Sequence, residues 1–168
     1  MDSLRYLAGY APELQEQVRE MVDRGRLGTY LLARYPEAHD LRTPKQLYQY
    51  TMDLKNTYMR RAKPLSSVVY HDKVDVMRNA LGVHSITARV QGSKLKAKSD
   101  IQISSLFRRV PEAFLRMILV HELAHFKERD HNKAFYQLCT HMEPDYHQLE
   151  FDLRLYLIQL EIDAPLYN

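Results

Sequence analysis

His121-Glu122-Leu123-Ala124-His125 has the pattern H-E-x-x-H. On a helix each residue turns by about 100°, so residues four apart lie about 40° apart on one face and both imidazoles can reach a single ion. Imidazole nitrogen suits zinc, with bonds of about 2.0–2.1 Å. Glu122 need not bind the metal. It is free to hold a water and take its proton, and zinc lowers the pKa of that water to about 7. His131 stands six residues beyond His125. Three histidines (His121, His125, His131) and one open position define a catalytic zinc site rather than a structural one. An unbroken helix would turn residue 131 away from the ion, so the helix must break soon after His125. The mostly polar run Phe126-Lys127-Glu128-Arg129-Asp130 suits such a break, with Asp130 as a cap for the next helix.

Other residues compete for roles at this site. The histidine spacing coincides with the metzincin signature H-E-x-x-H-x-x-G-x-x-H, but Glu128 stands where that signature has glycine. Zincins of another class take a glutamate from a later helix, which makes Glu143 and Glu150 alternative third ligands. An oxyanion needs a further donor, for which Tyr136, Tyr146 and His147 are candidates by their nearness in sequence. His39, His71, His84 and His141 are expected to be surface or hydrogen-bonded core groups. Peptide deformylase also carries H-E-x-x-H but requires an upstream cysteine ligand. Cys139 lies downstream in an apolar stripe, which excludes that assignment.

The elements that must hold these residues are readable from periodicity. A helix opens at Pro12 and stops at Gly25, and a shorter one spans about Leu27 to Tyr35. Thr43-Pro44-Lys45-Gln46 has the form of a capping box, followed by Leu47, Tyr50, Leu54 and Tyr58 at helical spacing. Ser67 to Tyr70 reads as a strand. His84 to Val90 and Leu95 to Ile103 then alternate apolar with polar about a turn at Gln91-Gly92-Ser93-Lys94, which predicts a β-hairpin. After Pro111 the helical period returns with apolar residues nearly all round, the mark of a buried central helix. Two more helices are expected, from about His131 to Met142 and from Pro144 onward. The fold class is therefore α+β. A small, mostly antiparallel sheet of three to four strands packs on the motif helix, within a single domain spanning 1–168.

The chain has 168 residues, 45% hydrophobic and 27% charged, the balance of a globular protein, and this excludes disordered, collagen-like and rod-like classes. A single cysteine excludes an internal disulfide framework. No apolar run is long enough to span a membrane, and the first residues lack the features of a signal peptide. A cytoplasmic location is expected. The net charge of +3 permits nucleic-acid contact without demanding it.

The run from His121 to Cys139 resembles the bacterial YgjP-like metal-dependent hydrolases, relatives of the SprT and WLM zinc peptidases. So do His141-Met142-Glu143-Pro144, Tyr146 to Asp152, Arg89 to Lys98, Tyr48-Gln49-Tyr50 and Asp53-Leu54-Lys55-Asn56. The resemblance covers nearly the whole chain. It implies a minimal zincin-like fold, with His121, His125 and His131 as zinc ligands and Glu122 as the catalytic base. It also implies zinc-dependent peptide-bond hydrolysis, with a polypeptide extended along the strand Leu95 to Ile103. Two alternatives stand beside it. One is an endoribonuclease-like hydrolase, suggested by Asp130-His131 at the offset of the enzymes that mature ribosomal RNA. The other is a nucleic-acid-associated module with a non-catalytic metal, suggested by Arg60, Arg61 and Lys63, by Lys94, Lys96 and Lys98, and by Arg108 and Arg109. The likeness to SprT-type proteins makes DNA-associated proteins conceivable substrates.

Overall fold

Thr43 starts the clearest element. Its Oγ1 accepts a hydrogen bond from the Gln46 N–H at 3.2 Å, and the Gln46 side chain accepts from the Thr43 N–H at 3.2 Å. This is the reciprocal capping box, with Pro44 at the first helical position. The computed structural model describes residues 2–76, 90–91, 94–95 and 99–168. Among them, six α-helices run in the order α1 (Pro12–Asp23), α2 (Leu27–Arg34), α3 (Pro44–Tyr58), α4 (Glu112–Ala124), α5 (Lys133–Met142) and α6 (Tyr146–Ile162). Gly25, at φ 64°, follows the end of α1 and turns the chain in a conformation that other residues rarely adopt. The helices expected at His131 and Pro144 begin two residues later, at Lys133 and Tyr146.

The motif helix α4 is central, as its apolar periphery predicts. Phe114, Leu115, Met117, Ile118, Leu119, Val120, Leu123 and Ala124 are all buried. It packs against α3, α5 and α6 and against the sheet. α6 is tied to the N-terminal region by polar groups. Asp152, at 0% exposure, accepts from Gln148 Nε2 at 3.0 Å and from the Tyr35 hydroxyl, and it faces Arg34 Nε at 3.3 Å. Burial and this carboxylate together push the Tyr35 phenol well up. At the surface, Glu161 accepts from Arg5 Nη1 at 2.9 Å and from the Tyr6 hydroxyl at 2.8 Å.

The sheet corrects the sequence reading. A mostly antiparallel sheet of three to four strands is expected from the sequence. The described residues form two separate pairs. β1 (Leu65–His71) and β4 (Ser99–Ser104) run parallel, with Leu65 opposite Ser99 and His71 opposite Ser104. β2 (Val90–Gln91) and β3 (Lys94–Leu95) form a short antiparallel ladder, with Val90 opposite Leu95. Of the expected hairpin, β2 and β3 pair as described, while residues 92–93 and 96–98 lie outside the described residues. The reason for the different pairing is physical. A period of two identifies one wet and one buried face, and β4 shows it: Ser99, Ile101 and Ile103 are buried while Asp100 is exposed. The period says nothing of which strand lies alongside, or in which direction. The expected residues 84–89 of the hairpin lie outside the described residues. No helix among the described residues is long and apolar enough to cross a membrane.

Candidate metal centre

α4 presents His121 and His125 from adjacent turns. It ends where the sequence demands a break. His125 caps it, and the N–H groups of Phe126, Lys127 and Glu128 fold back onto Leu123 and Ala124 carbonyls at 2.9–3.1 Å. No described residue other than glycine has a positive φ. Glu128 therefore makes this turn in ordinary backbone conformations, and the glycine of the metzincin pattern is not needed. The cap of α5 is Asn132, whose side chain accepts from the Phe135 N–H at 2.8 Å. Asp130, the expected cap, lies two residues too early because the turn uses more chain before α5 starts.

The turn swings His131 back to the other two rings. His125 Nε2 lies 3.2 Å from His121 Nε2 and 3.1 Å from His131 Nε2. All three donor atoms lie within 4.8 Å of one another. Two of the outer nitrogens are held from behind. His125 Nδ1 donates to the backbone carbonyl of Glu128 at 2.9 Å, which turns the lone pair of Nε2 toward the cluster. His121 Nδ1 contacts the Tyr146 hydroxyl at 2.8 Å, and His121 itself is 1% exposed. Phe135 lies against all three rings, most closely His125, at 4.5 Å between centroids.

This donor set fits a divalent cation. Tetrahedral coordination at about 2.0–2.1 Å would place ligand nitrogens roughly 3.3 Å apart, close to the two spacings found. Neutral imidazoles with their second nitrogens fixed by hydrogen bonds are the usual first and outer shells of such a site.

Glu122 is not among the three residues whose donor atoms cluster. It is half-buried and makes no hydrogen bond to a described residue. Burial pushes its carboxyl up to about 8. A cation near it would draw that value down again, since opposite charge favours the ionised form.

The remaining candidates separate. Glu143 pairs with Arg116 at 3.8 Å, and Glu150 faces His147 at 3.6 Å, so neither joins the histidine cluster. Tyr146 is fully buried behind His121 and acts on that ring rather than on an open position. Tyr136 is half-buried with its ring 6.4 Å from that of His131, and the His147 side chain is 60% exposed. His39 is a satisfied core group: its Nε2 donates to the Phe107 carbonyl at 2.7 Å and its Nδ1 accepts from the Leu41 N–H at 2.9 Å. Met142 is buried, as a residue of an apolar stripe should be. Cys139 is buried too, and its thiol is pushed up to about 12 by that burial.

Two functional contacts escape sequence reasoning. The Glu128 carbonyl is a main-chain group, so no residue type announces it. Tyr146 stands out in the sequence only as a candidate oxyanion donor, not as a partner of the His121 ring. Its only signal is a hydroxyl on a fully buried residue, which demands a partner.

Comparison with known proteins bears on this geometry. The family model described as YgjP-like, metallopeptidase domain, matches residues 12–156. The chain is 57% identical over 162 residues to a protein of Escherichia coli (strain K12) named UTP pyrophosphatase. The match covers 96% of this chain and 97% of that one. No solved structure matches the chain.

Proposed function

The chain belongs to the YgjP-like metallopeptidase-domain family, and from that membership we propose that it is a zinc-dependent hydrolase of nucleoside triphosphates. In this reading it splits UTP into UMP and pyrophosphate. The observation that carries it is the near-full-length similarity to a protein named for that activity.

His121, His125 and His131 would hold the ion, and the Glu128 carbonyl and Tyr146 hydroxyl keep two of those rings aimed. A divalent cation bound there supplies Lewis acidity and makes water acidic enough to ionise near neutral pH. Glu122 takes a proton from the attacking water. The water oxygen bonds to the α-phosphorus as the bond from that phosphorus to the bridging oxygen breaks, and pyrophosphate departs with the electron pair. General-base help of this kind contributes about 10²–10⁴-fold.

Peptide hydrolysis is the second reading, favoured by the metallopeptidase description of the family model. β1 and β4 form a two-stranded parallel sheet among the described residues, and an extended peptide adds to a sheet by main-chain hydrogen bonds. The same Glu122 would then pass its proton to the leaving amine.

One experiment separates them. Metal-loaded protein is given UTP, an unfolded protein and a structured RNA in parallel, with and without chelator, beside Glu122→Gln. The expected result is pyrophosphate release from UTP that chelation abolishes. Glu122→Gln should reduce it by about 10²–10⁴-fold without changing metal content. Intact UTP beside a cleaved polypeptide would overturn the nucleotide reading in favour of the peptidase.

A further inference from the structure

Aromatic rings continue past the three histidines on the side where α5 meets α6. Phe135 lies against all three imidazoles. The ring of Tyr136 stands 5.1 Å from that of Phe135, nearly edge-on at 80°, and 6.4 Å from that of His131. It also meets His147, the second residue of α6, at 5.4 Å with 39° between the two planes. Exposure rises along this series. Phe135 is fully buried, Tyr136 is half-buried, and the His147 side chain is 60% exposed.

The outer rings are held before any ligand arrives. His147 Nδ1 lies 3.6 Å from Glu150 Oε1, about one turn on along α6, and the Glu150 side chain is itself only 13% exposed. Tyr136 has Phe135 as one neighbour and the buried ring of Tyr146, 6.3 Å away, as another. A flat ligand that covers this surface therefore pays little to order it.

The chemistry beside these rings narrows what that ligand is. His121, His125 and His131 gather donor atoms for a cation, and a cation attracts phosphate. A nucleotide carries its base one ribose away from its α-phosphate, and Tyr136 stands one ring beyond His131. Tyrosine and histidine rings both stack on bases, and such stacking tolerates any base because each has a π-face.

We propose that Tyr136 and His147 form a stacking shelf for the nucleobase of the substrate, an inference that rests on the nucleoside triphosphate reading. The α-phosphate meets the metal centre, and the base rests on the ring surface that Tyr136 and His147 leave open. The shelf separates nucleotides from phosphates that carry no base. It uses the Tyr136 ring and not its hydroxyl.

The test compares binding of UMP with binding of ribose 5-phosphate, which has the same sugar and phosphate without the base. Both are titrated into the metal-loaded full-length protein by calorimetry, and UTP hydrolysis by the same protein is measured separately. Wild type should bind UMP about 5- to 150-fold more tightly than ribose 5-phosphate. Tyr136→Leu and His147→Ala should each lower that ratio by about 5-fold or more, while Tyr136→Phe keeps it. Folding of each variant is checked by circular dichroism and melting. If Tyr136→Leu does not fold, His147→Ala decides, because that side chain is exposed. Wild type that binds UMP no more tightly than ribose 5-phosphate overturns the shelf, even where UTP is hydrolysed. A ratio that either substitution leaves unchanged overturns it too, and so does a ratio lost in Tyr136→Phe, which would assign the effect to the hydroxyl. A preference for UMP that depends on both rings, in a protein that leaves UTP intact, keeps the shelf and discards the hydrolase reading instead.

Discussion

The two flanks of α4 treat their polar groups in opposite ways. Toward α5 and α6, the groups behind two of the histidines and the buried Asp152 have partners. His125 has the Glu128 carbonyl, His121 has Tyr146, and Asp152 has Gln148, Tyr35 and Arg34. Toward the sheet, the buried Ser99 hydroxyl has none. The difference sets the metal-binding flank apart. A small ion needs rigid ligands whose orientation is fixed before it arrives. Glu122 makes no hydrogen bond to a described residue, and burial pushes its carboxyl up to about 8.

This contrast can be broken at several points. The largest effect belongs to His131→Ala, which removes one of three donors. Metal affinity should fall by more than the roughly 10- to 100-fold typical of losing an outer partner, read by metal analysis after dialysis against a chelator series. Tyr146→Phe removes only the hydroxyl behind His121 and should fall within that 10- to 100-fold range. Unchanged affinity would mean that packing against Phe135 alone orients the ring. On the opposite flank the sign should reverse. Ser99→Ala deletes a buried hydroxyl with no partner and should leave stability equal or higher by about 1 kcal/mol, measured by denaturant unfolding. A clear loss would show that the Ser99 hydroxyl is satisfied in solution and would erase the distinction between flanks.

The smallest effect lies far from both. Arg5, followed by Tyr6, holds the Glu161 carboxyl below its ordinary value of 4.5. A carboxylate with a depressed folded pKa stabilises above its unfolded pKa, and the contribution is lost as pH falls through the folded value. The stability difference between wild type and Glu161→Gln should therefore be present at neutral pH and vanish in acid as pH falls through that lowered value. Because the pair is near the surface, added salt should shrink it.

The sequence made the helices and the site legible to different depths. Pro12, Gly25, Thr43 and Pro111 are local signals, since capping and backbone conformation depend on a few neighbouring atoms. The histidine triad was legible for the same reason, once the break after His125 was accepted. Strand pairing was not. Ser99 to Ser104 advertises its buried face through Ile101 and Ile103, yet its neighbour is β1, far earlier in the chain and parallel to it. Period alone carries no such long-range information. Lys55 was equally hidden, because a lysine on a helix reads as a wet residue until tertiary packing covers it.

One detail of the turn after α4 bears on how such signatures diverge among relatives. His125 is steered by the peptide oxygen of residue 128, and the side chain there takes no part in that bond. Mutational drift at this position can therefore run through most amino acids without misaligning the imidazole, so long as the local φ and ψ survive. A pattern search that insists on one residue type at 128 will overlook proteins whose chemistry is intact.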